Sequence, residues 1–170
     1  MISYLVVDSA TGGIVRGGQC QPSTLAAQAV NPGEVAYEVP DGVISWPEPN
    51  LGVLRTFMWA QIDAAAESFC KSFVTPGETQ MVRYQRKEAQ ARAYLADSNA
   101  SVPMLEAEAT ATGVTVATLA ATVVAIADAW GGIMDAVEGA RIGAKKAVQD
   151  ATGVHDIFQA AVVDWQGLLS

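Results

Sequence analysis

Read in sevens from Val116, the chain places an apolar residue at eleven consecutive seam positions: Val116, Val123, Trp130, Val137, Ala144 and Ala151 at a, and Leu119, Ile126, Ile133, Ala140 and Ala147 at d. A stripe this long predicts a helix over about residues 115–151, buried along one seam in a coiled coil or a helical bundle. The flanking e positions (Ala120, Ala127, Met134, Arg141, Val148) and g positions (Thr122, Ala129, Ala136, Gly143, Asp150) are mostly small and uncharged, so the apolar face is wide. A wide face suits a bundle, or an assembly of three or more strands, better than an isolated dimer. The half with Ala140, Ala144 and Ala147 offers little of the roughly 1.5–3 kcal/mol that burial of a large aliphatic side chain contributes. Gly131-Gly132 in the middle costs about 1 kcal/mol per residue relative to alanine and predicts a bend. Val116, Leu119, Val123, Ile126, Trp130, Ile133 and Val137 are the candidate oligomerisation seam.

Upstream the period changes. Residues 3–8 and 13–16 are β-rich runs joined by Ser9-Ala10-Thr11-Gly12, a hairpin turn, with a second turn at Gly17-Gly18. Pro22-Ser23-Thr24 opens a short helical turn, ended by Asn31-Pro32-Gly33. In Glu34–Val39 the alternation puts Val35, Tyr37 and Val39 on one face, and residues 42–46 suggest a further strand. Two prolines, Pro47 and Pro49, favour an extended linker over 47–51. Beyond it Leu54, Met58, Ile62, Ala65, Phe69 and Phe73 share a helical face, and Thr75-Pro76-Gly77 breaks the helix. A second helix over about 78–96 turns Met81, Tyr84, Ala91 and Leu95 inward; a short one runs from Pro103 to Thr110 and closes at Gly113. Thr115 caps the heptad helix, and a final helix covers about 154–168. The fold class is therefore α+β: a small N-terminal antiparallel β-module (1–46), a proline-rich linker (47–51), then a mainly α-helical bundle or coiled-coil region (52–170).

Composition narrows the partners. The 170 residues carry a formal charge of −8, which disfavours nucleic acid because counterion release needs a basic face. A hydrophobic content of 51% against 16% charged residues points to surface covered by other subunits. Residues 2–7 lack a basic flank and meet Asp8 at once, which reads as a strand and not a signal peptide. The longest apolar stretch, Val114 to Ala127, falls short of the ~20 residues that span a bilayer, so no membrane is expected. Cys20 and Cys70 read as idle thiols in a reducing compartment.

Several stretches carry a resemblance. Residues 4–20 (YLVVDSATGGIVRGGQC), 25–28 (LAAQ) and 32–34 (PGE) resemble the start of small proteins encoded in tail-fibre regions of tailed bacteriophages. Residues 75–89 (TPGETQMVRYQRKEA), 102–109 (VPMLEAEA) and 137–147 (VEGARIGAKKA) are similar to segments of those same proteins. The resemblance covers nearly the whole chain and implies a virion or assembly role, with synthesis in the host cytoplasm and location in the tail. It supplies no catalytic residues.

The chemistry agrees with assembly over catalysis. His155 is the single histidine, and its neighbour Asp156 is adjacent in sequence, which does not build a catalytic triad. Cys20, Cys70 and His155 show no paired metal-ligand spacing, and Glu106 and Glu108 are two apart, on different helix faces. Thr11-Gly12-Gly13 lacks the lysine of a phosphate loop. No catalytic, cofactor or metal residue is assigned. Arg83, Arg86, Lys87 and Arg92 form the one basic cluster, a candidate docking site for an acidic partner or a solvated face offset by Glu78 and Glu88. The expectation is a structural component of a phage tail, baseplate or fibre network that self-associates, with a trimer among the candidate states, and contacts other tail proteins. The alternative is a fibre-assembly chaperone that leaves before the particle is complete.

Overall fold

The computed structural model describes residues 1–45, 48–73 and 77–169, without the side chain of Glu78. Among these the chain is α+β: strands β1 (Ile2–Asp8), β2 (Ile14–Cys20) and β3 (Glu34–Val39) precede helices α1 (Leu51–Lys71), α2 (Glu78–Ala96), α3 (Pro103–Thr112), α4 (Val116–Asp150) and α5 (Val154–Ala160). The sheet is antiparallel in the order β2-β1-β3. β1 is central because Tyr4 to Val7 are apolar enough to be buried on both faces. The β1–β2 turn is closed by Asp8, whose Oδ1 accepts from the Ala10 and Thr11 amides and the Thr11 hydroxyl at 2.8–3.0 Å. Gly12 takes a φ of +71° there, a conformation that a side chain would strain.

β2 runs straight through Gly17-Gly18, where a turn was expected. A Cβ at Gly17 would sit 2.7 Å from Leu5 Cδ2 and 3.1 Å from the Tyr4 carbonyl, and one at Gly18 would meet the Tyr4 hydroxyl at 3.3 Å. The glycines serve close approach to β1, not reversal of the chain. Residues 43–45 form no strand; Val43 is buried and bonds Pro40 and Asn50 through its backbone, while Trp46 lies outside the described residues. Pro47 of the expected linker and Thr75-Pro76 of the expected helix break lie outside them too. The helical turn after Pro22 is two 3₁₀ turns. The single helix expected over 154–168 is shorter: α5 ends at Ala160, and a 3₁₀ turn at Gln166–Leu169 starts where Asp164 Oδ1 accepts from the Gly167 amide at 3.0 Å.

Two compact units emerge, one of Met1–Ser68 with Glu138–Leu168 and one of Phe69–Val137 with Leu169. This replaces the division into a module 1–46, a linker 47–51 and a helical domain 52–170. In the first unit Leu5, Val7, Val39 and Val43 share one core with Leu54, Met58 and Ile62 of α1, Ala144 and Val148 of α4, and Val154 and Ile157 of α5. A three-stranded sheet cannot bury an apolar face by itself, so the helices complete it. Val35, Tyr37 and Val39 do share a face, and it is this one. The other face, with Tyr4, Val6 and Cys20, is covered by Leu25 and Ala36. Leu51, assigned to the linker, already begins α1, where Asn50 Oδ1 accepts from the Val53 amide at 3.2 Å. Along α1 the buried positions are Leu54, Met58, Ile62, Ala66 and Phe69; Ala65 and Phe73 are exposed.

In the second unit Ala91 of α2, Val102 and Leu105 at α3, and Ala120 of α4 form the core, with Tyr94, Val116, Leu119 and Val123 against it. Gln90 Oε1 accepts from the Met104 amide at 2.9 Å and so caps α3 at its start, while Gly113 ends it at a φ of +74°. Thr115 caps α4, accepting from the Thr118 amide at 3.1 Å. Met81, Tyr84 and Leu95 of α2 were expected inward and are exposed instead. The inward side of this helix is set by Lys87, Gln90, Ala91 and Tyr94, at the i, i+3, i+4, i+7 spacing of one helical face.

Candidate assembly surface

α4 is continuous over 35 residues, and Gly131-Gly132 does not interrupt it. Its covered side is a mixture of a and e positions: Ala120, Val137, Ala144 and Val148 are buried. The d positions divide. Leu119 packs on Ala120 and its neighbours, Ile126 is 65% exposed, and Ala147 is exposed. Exposure does not drift steadily along the helix, since Ile126 is more open than Ile133 and Ala140 further on; it follows the stretches that the core of each unit covers. Of the expected seam, Val116, Leu119 and Val123 serve the second unit's own core, Val137 is buried, and Ile133 is half-buried. Trp130 lies 5.9 Å from the Phe73 ring centre. Around Ile126, Thr122 and Ala129 are also exposed and uncharged, a short strip within the second unit.

The four residues of the basic cluster part company. Lys87 Nζ lies 2.6 Å from Glu108, and Arg92 reaches Asp128 at 2.6 Å and Glu88 at 2.8 Å. Those two carboxylates, Asp128 first, hold the Arg92 guanidinium in its charged form. Arg83 bonds only Thr79 of its own helix, and Arg86 has no ion pair or hydrogen bond among the described residues. Elsewhere cations are used structurally. Arg141 and Lys145 both grip Asp63 at 2.6–2.8 Å, tying α4 to α1 in the first unit; Lys145, then Arg141, pulls the Asp63 carboxyl below its ordinary range. Arg16 of β2 forms a two-point pair with Glu34 of β3 across the central strand. Arg16 first, then Asn31, lowers the Glu34 pKa to about 2.

The groups that chemistry would need are tied into structure or dispersed. His155 Nδ1 lies 2.8 Å from the Tyr37 hydroxyl, and Gln159 donates to the same oxygen at 3.3 Å. Tyr37 stacks on Phe158 with ring centres 4.0 Å apart, so the imidazole helps hold α5 on β3. Cys70 and Met134 bring their sulfurs to 3.6 Å, and both cysteines are free thiols. No group of three or more His, Cys, Asp or Glu side chains that could hold a metal ion occurs among the described residues. An open cleft of about 520 Å³ is lined by Pro40, Asn50, Gly52, Val53, Thr56 and Phe57, none of them ionisable.

One helix among the described residues, α4, is long and apolar enough to cross a membrane by length and composition alone: its apolar window has a mean hydropathy of 1.6 and is 11% buried. The 14-residue stretch read from sequence understated that length, because alanines and glycines carry the apolar character onward past Asp128. No protein family, curated protein or solved structure matches the chain.

Proposed function

We propose that the protein is a structural component of a bacteriophage tail, baseplate or tail-fibre network, working through protein–protein assembly and without catalysis. The observation that carries the assembly part is the exposed, uncharged strip on α4, where Ile126 is 65% exposed. The small neighbours Thr122 and Ala129 suit close approach of another helix. Self-association along this strip is the reading it supports best. The phage setting rests on the resemblance of residues 4–20, 75–89, 102–109 and 137–147 to tail-fibre-region proteins.

Two measurements test this. Light scattering of the parent chain should give an oligomer, and Ile126→Asp should give a monomer with unchanged helicity, because the new charge would enter the strip and no intrachain core. A well-folded parent monomer would refute self-association. Mass spectrometry of purified particles of the encoding phage should find the protein in fixed stoichiometry; its absence from particles that depend on it for fibre attachment would make it an assembly chaperone instead.

A further inference from the structure

We draw no further inference here: the strongest candidate, the contact in the second unit between Cys70 on α1 and Met134 on α4, whose sulfurs lie 3.6 Å apart, is a single cysteine against one thioether, and nothing in the structure points to a ligand that it would hold.

Discussion

Three exposed glycines of α4 set up a sharp experiment. A Cβ built at Gly132, Gly139 or Gly143 meets no atom within 4 Å, and none of the three has a positive φ. Replacing each by alanine adds a methyl that touches nothing in the chain and removes backbone freedom from the unfolded state. At roughly 0.8–1.0 kcal/mol per helical Gly→Ala change, the triple variant should gain about 2.5–3 kcal/mol. For a chain of this size that raises Tm by about 5–12 °C. The comparison belongs on the Ile126→Asp background, where the chain is expected to be monomeric and Tm independent of concentration. Thermal melting followed by circular dichroism at 222 nm reads the result; a Tm equal to or below that of Ile126→Asp alone would refute the claim that these glycines are idle within the chain. All three glycines lie roughly 100–140° round the helix from Ile126, so on the parent background the same methyls should leave association through Ile126 unchanged, and sedimentation equilibrium would register any loss.

Deleting residues 1–46 should abolish cooperative unfolding of the first unit, because Leu54, Ile62, Val148 and Ile157 lose the sheet that covers them; hydrogen exchange showing α5 fully protected in the truncated chain would contradict this. The Glu34 carboxyl, held near a pKa of about 2 against its ordinary 4.5, contributes stability that is complete above the unfolded value and is lost as pH falls through the folded one. Urea midpoints taken between about pH 5 and pH 2 should therefore fall less steeply in Glu34→Gln than in the parent, the variant being weaker at neutral pH. His155→Ala should cost about 0.5–1.5 kcal/mol, the loss of one hydrogen bond to Tyr37, without impairing particle incorporation. Addition of a chelator should leave the thermal midpoint unmoved; a drop would reveal a structural metal and reopen the chemistry of Cys20, Cys70 and His155.

What the sequence determined by itself is what depends on neighbours a few residues away. The alternation of Val35, Tyr37 and Val39, the 3.6-residue spacing of Leu54, Met58 and Ile62, the cap at Thr115 and the left-handed stop at Gly113 are all local, and all are present in the fold. The tertiary structure decided where distant parts meet. Gly17-Gly18 reads as a turn until Leu5 and Tyr4 are seen lying against it, and that contact comes from strand pairing. Residues 1–46 read as a separate module because the prolines at 47 and 49 mark a boundary in composition, yet burial is set by which faces find each other. One face of the sheet found α1, the end of α4 and α5, nearly a hundred residues or more along the chain for the last two. In the same way the basic cluster looked uniform in sequence. Only the carboxylates of Glu108 and Asp128, brought up from α3 and α4, separated Lys87 and Arg92, paired across elements, from Arg83 and Arg86, which are not. The heptad was legible, but its meaning was not: seven-residue spacing states that a face is apolar, whereas the packing of α2 and α3 in one unit, and of α1, α5 and the sheet in the other, decides which part of that face is covered and which part, around Ile126, is left outside.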